Sequence, residues 1–120
     1  MLIAIPSDGE SLDTSVCVSF GRAPFYCLYN TETKESRFLA NSAADASGGA
    51  GIKAAQILVD NAIGTLITIR CGENAAKVLQ NANVGLYKAI DLSVADNIDA
   101  FQNGKLPVLD KIHPGFHHGH

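Results

Sequence analysis

The chain has 120 residues, 47% of them hydrophobic and 18% charged. That length suits one domain able to bury a core without staples, and the composition excludes a disordered chain. Nine Lys and Arg against twelve Asp and Glu give a net charge of −3, so the basic footprint of a dedicated nucleic-acid binder is missing.

Leu2 to Pro6 is an apolar run that ends in Pro-Ser-Asp-Gly, a strand followed by a breaker. Ser7 to Pro24 is polar and long for a connection, which points to a functional or mobile loop. Phe25 to Asn30 and Ser36 to Ala40 are β-prone and flank Thr-Glu-Thr-Lys, so they read as a hairpin. Asn41 to Gly51 is a second polar loop ending Ser-Gly-Gly-Ala-Gly. Ile52, Ala55, Leu58 and Val59 then fall on one face of a helix expected to end near Asn61. Thr65 to Ile69 is a bare β-branched run, as expected of a central strand buried on both faces. Ala75, Val78, Leu79 and Ala82 repeat at helical spacing, and Gly85 to Ala89 is a short strand. Ser93 with Asp96 three residues on resembles a capping box, Val94, Ile98 and Phe101 form an apolar face, and Gly104 and Pro107 stop that helix.

The order is strand, hairpin, then alternating helices and strands. It predicts an α/β fold with mostly parallel strands and one antiparallel strand. No internal repeat is present. No apolar run approaches the roughly 20 residues of a membrane span. Met1 leads straight into Leu-Ile-Ala-Ile-Pro without a basic segment, so a cytoplasmic location is expected.

Phe20-Gly21-Arg22-Ala23-Pro24, Ser47-Gly48-Gly49-Ala50-Gly51-Ile52, Cys71-Gly72-Glu73-Asn74-Ala75 and Val84-Gly85-Leu86-Tyr87 follow one another in this order. In these four motifs the chain resembles the dinitrogenase iron–molybdenum cofactor biosynthesis family, over about residues 1 to 104. The resemblance implies a ribonuclease-H-like fold: a mixed five-stranded sheet in order 3-2-1-4-5 with strand 2 antiparallel, and about three helices. Residues 1–104 would form the domain and 105–120 a His-rich tail. It implies a carrier or accessory role toward an iron–sulfur or molybdenum-containing cluster. The chain departs from the family at two points. Glu73 stands where members often carry a Pro, and the loop Ser42 to Gly51 lacks the His that some carriers place there.

In that fold the loops Ser7–Pro24, Asn41–Gly51 and Arg70–Glu73 gather at the carboxyl ends of parallel strands, where open α/β sheets bind ligands. Gly48, Gly49, Gly51 and Gly72 stand before or within helix starts, with Asn74 just inside, and helix N-termini suit anions. The same glycines also serve tight turns, and no Gly-Lys-Ser/Thr follows to make a P-loop. Cys71 beside Arg70 at a helix start reads either as a thiolate able to bind soft metal or as a thiol that packs. Arg22 reads as an anion ligand or as a structural loop residue. Cys17 lies in the loop of the same edge, and Cys27 falls inside a strand and reads as core. The odd cysteine count without Cys-x-x-Cys indicates neither a disulfide framework nor a zinc ribbon.

All four histidines, His113, His117, His118 and His120, lie in the last eight residues. They read as metal ligands of an incomplete site, to which Cys71 or a second chain could contribute, or as a tail without a role. Enzyme readings fail on the same facts. A two-metal nuclease needs inward carboxylates, and Thr65 to Ile69 holds none. A Ser-His-Asp or Cys-His site needs a positioned His, and the tail holds them all. The expected protein is thus a non-catalytic metal or metallocluster carrier. The alternatives are a module docking an iron–sulfur assembly ATPase without metal of its own, and a Cys71-dependent redox protein. An exposed hairpin edge would also allow a homodimer.

Overall fold

The computed structural model describes residues 1–109 of the chain; the histidines at 113, 117, 118 and 120 lie outside them. In chain order the elements are β1 (Leu2–Ser7), β2 (Phe25–Asn30), β3 (Ser36–Ala40), α1 (Ala50–Asp60), β4 (Thr65–Thr68), α2 (Glu73–Asn81), β5 (Gly85–Lys88) and α3 (Val94–Gln102). The strands form one sheet in the order β3-β2-β1-β4-β5. β2 is antiparallel to both β1 and β3, whereas β1, β4 and β5 run parallel. This is the expected mixed sheet, and the hairpin forms with Phe25 opposite Ala40. Among the described residues no helix is long and apolar enough to cross a membrane.

Alternation along the strands divides the interior in two. Ala4, Tyr26, Leu28, Leu66 and Leu86 face α1 and α2, meeting Ala54, Ala55, Leu58, Ala75, Ala76 and Leu79. Ile3, Ile5, Cys27, Tyr29 and Ile67 face the other way, against Val94 and Ile98 of α3. β1 lies centrally and β4 is buried along its whole length, which explains their unbroken apolar runs. The alanines on α1 and α2 let those helices pack closely, and an added Cβ at Gly51 would stand 3.5 Å from Cβ of Ala75.

The long loop after β1 is pinned rather than loose. Val16 bridges Ser7, Ser15 bridges Ser93, and the Cys17 amide donates to Pro6 O at 2.9 Å. Beyond Gly104 the chain continues to pack. Leu106 and Leu109 are buried, the amide of Lys88 donates to Pro107 O, and that of Leu109 donates to Leu86 O. Residues 107–109 thus lie antiparallel along β5 and cover that sheet edge, while β3 forms the other edge.

Candidate functional site

Because β1, β3 and β4 all end on the same side, the segments 18–22, 47–52 and 70–75 meet there around an open cleft of about 780 Å³. Each of the eight residues singled out for this edge lines it: Arg22, Gly48, Gly49, Gly51, Arg70, Cys71, Gly72 and Asn74. Sequence reasoning passed over Val18 and Ser19, which stand in no motif, Ser47, which opens one, and Ile52, which was expected in the core. Ile52 is 44% exposed. α1 begins at Ala50, so Ile52 sits in its first turn, and the buried stripe runs through Ala50, Ala54, Ala55 and Leu58 instead. Val18 is 49% exposed, so apolar side chains flank the opening.

The three helices differ at their N-termini. At α3 the Ser93 hydroxyl accepts from the Asp96 amide, and the amides of Val94 and Ala95 donate to Thr14 O and Leu12 O. That N-terminus is closed by side chain and loop together. α1 is preceded by Gly49 and α2 by Gly72, and neither glycine supplies a side-chain cap. The first-turn amides of Gly51, Ile52, Asn74 and Ala75 find no acceptor among the described residues. They belong to cleft-lining residues, at the positive ends of two helix dipoles. A Cβ built on Gly48 or Gly72 would meet nothing within 4 Å, so the space beside these backbones is open.

Charge follows the same pattern. Arg22 and Arg70 are exposed on the cleft, and neither forms a salt bridge with a carboxylate among the described residues. One guanidinium nitrogen of Arg22 donates to Ala44 O at 2.8 Å, which leaves further N–H donors of its planar group for a ligand. Glu73 lines the cleft as well and brings one negative charge.

Of the two readings open for Cys71, the free protein shows the thiol that packs. The helix start and Arg70 favour a thiolate, yet the thiol is only 1% exposed and burial pushes it up to about 11. Desolvation of the thiolate outweighs the helix end in the free protein. Cys27 is core, as expected, with its thiol raised by burial to about 12. The Cys17 thiol is also raised, first by burial, and Asp8 adds to the rise. All three are free thiols.

Residues 1–104 match the dinitrogenase iron-molybdenum cofactor family. The chain belongs to that family. The apo form of the orange protein of Desulfovibrio gigas superposes with a TM-score of 0.87 at 31% identity, over 91% of this chain and 92% of that one. A Thermotoga protein provisionally named a NifB protein superposes with a TM-score of 0.82 at 36% identity, over 92% and 95% of the two chains. An uncharacterized protein of Methanocaldococcus jannaschii is 28% identical over 109 residues, which is 88% of this chain and 89% of its relative. Family membership and these likenesses point to a small, non-catalytic, cofactor-associated protein.

The donor set can be tested against such a cargo. Among the described residues no group of three or more His, Cys, Asp or Glu side chains could hold a metal ion. A bare cation therefore finds no ligand shell in the cleft among the described residues. An anionic species finds two arginines, the amides of two helix starts and open space beside glycine backbones.

Proposed function

We propose that the protein is a cytoplasmic, non-catalytic carrier that holds an anionic metallocluster, iron–sulfur or molybdenum-containing, in the cleft between the three loops. The observation that carries this reading is the contrast among the helices. The N-terminus of α3 is closed by its own loop, while those of α1 and α2 open onto a cleft that also holds Arg22 and Arg70. Arg22, Arg70 and the first-turn amides bind the negative charge, and Gly48, Gly49, Gly51 and Gly72 let it approach the backbone. Asn74 adds an exposed amide side chain. The apolar rim of Val18 and Ile52 suits a weakly hydrated anion. Among the described residues Cys71 is the one soft ligand lining the cleft. Its buried thiol loses its proton when metal binds, so uptake through sulfur rises with pH. The tail histidines His113, His117, His118 and His120 supply exchangeable metal sites that deliver to the cleft.

The test is uptake after anaerobic reconstitution with iron, sulfide and molybdate, read by elemental analysis. Cys71→Ser and the pair Arg22→Gln with Arg70→Gln are each expected to lose most of the bound metal while keeping the fold. Wild-type uptake by both would overturn the assignment of the cleft. The exposed Val18 and Ile52 favour a second reading, in which this edge docks a partner such as an iron–sulfur assembly ATPase. Under that reading Cys71→Ser spares partner binding and Ile52→Asp abolishes it.

A further inference from the structure

The segment Phe20–Ala23, which carries Arg22 into the cleft, has no regular secondary structure of its own. It is nonetheless gripped from three sides. Asn41, the first residue after β3 and only 6% exposed, donates from Nδ2 to Gly21 O at 3.0 Å and to Ala23 O at 2.8 Å. These two carbonyls flank Arg22. The Asn41 Oδ1 accepts from the Ala43 amide at 3.0 Å, which fixes the turn whose next carbonyl, Ala44 O, accepts from the Arg22 guanidinium. From beneath, the fully buried Tyr26 donates its hydroxyl to Phe20 O and accepts from Asn41 Nδ2 at 3.4 Å. On the third side Gly21 lies against the first turn of α1. A Cβ there would come within 2.8 Å of both N and Cα of Gly51.

We infer that Asn41, seated on Tyr26, is a positioning residue that fixes the Arg22 guanidinium over the N-terminus of α1. It touches no ligand and acts through Arg22. Neither residue belongs to the four sequence motifs, and neither lines the cleft. Their side chains reach it only through backbone carbonyls. The inference rests on the anion reading of the cleft for its effect on binding, but not for its effect on Arg22.

Two variants test it. Asn41→Asp keeps the acceptor for the Ala43 amide and replaces the donor to the two carbonyls. Tyr26→Phe removes the hydroxyl beneath them and is the milder change should Asn41→Asp fail to fold. The first readout is the order of the Arg22 backbone amide and Nε, from nitrogen-15 relaxation of the free protein. Both are expected to lose order in each variant, while the amides of β4 keep theirs. Unchanged order at Arg22 overturns the inference whatever the binding data say.

The second readout is calorimetric titration with molybdate as the probe. Each variant is expected to weaken binding about tenfold, as the loss of one or two hydrogen bonds would. In the Arg22→Gln background the same substitutions are expected to add no further loss. Additive losses would overturn the inference, because they would mean that Asn41 acts other than through Arg22. If the wild-type protein ignores molybdate while Arg22 loosens in the variants, the anion reading fails and the positioning role stands.

Discussion

Glycines at the cleft separate by what each backbone requires. Gly49 holds φ at 67°, a left-handed conformation that an L side chain strains to adopt. Gly49→Ala is expected to lower unfolding free energy by about 1 kcal/mol in a denaturant titration. Gly48 has open space at its Cβ position and no positive φ, so Gly48→Ala is expected to leave stability within about 0.5 kcal/mol. It still narrows the cleft, and a several-fold loss of cargo affinity without loss of stability is the expected signature. Cys71 sets a pH dependence. Its pKa is about 11 in the fold and near the ordinary value of 9 when unfolded, so below pH 9 both states are protonated and the full stability is present. As pH rises from about 9 to 11 the unfolded chain loses its proton first, and stability is lost. Melting temperature is expected to fall over that window, and to fall less in Cys71→Ala, with Cys27 adding its own share toward pH 12.

Among the elements, α3 serves as the internal control for α1 and α2. Its N-terminus is closed by Ser93, and Ser93→Ala is expected to cost about 1 kcal/mol without changing cargo uptake. Glu73, in the first turn of α2, complements the helix dipole but opposes an anionic cargo, so Glu73→Gln is expected to raise affinity for the anion a few-fold in the same titration. The elements were largely legible in the sequence because their signals are local. The β-branched run Thr65–Thr68 and the hairpin Phe25–Ala40 declare themselves, and Ser93 with Asp96 marks the start of α3, where the Asp96 amide donates to the Ser93 hydroxyl. The lining of the cleft was legible at its glycines and arginines, since each stands in a motif or, like Arg70, directly beside one. What stayed hidden is non-local. Nothing near Ile52 says that the buried stripe of α1 runs through Ala50, Ala54, Ala55 and Leu58 and leaves Ile52 outside it. Nothing near Asn41 says that its amide reaches across to Gly21 and Ala23. The two readings of Cys71 stayed open for a related reason: the helix start is visible in sequence, whereas the burial that outweighs it arises only from packing.

For the molecule as a whole, the two sheet edges are treated differently. Residues 107–109 lie along β5, so a chain ending at Asp110 keeps this strap and the buried Leu106 and Leu109. That truncation removes all four histidines and leaves the cleft whole. It therefore separates the two places where metal can sit. The most direct measurement is the iron, molybdenum and sulfide content of the untagged full chain and of the chain ending at Asp110, both purified and reconstituted anaerobically. The truncated protein is expected to retain its cluster, and Arg22→Gln with Arg70→Gln to remove it. Metal that disappears on truncation, or that never appears in either protein after reconstitution, would contradict a cluster held in the cleft.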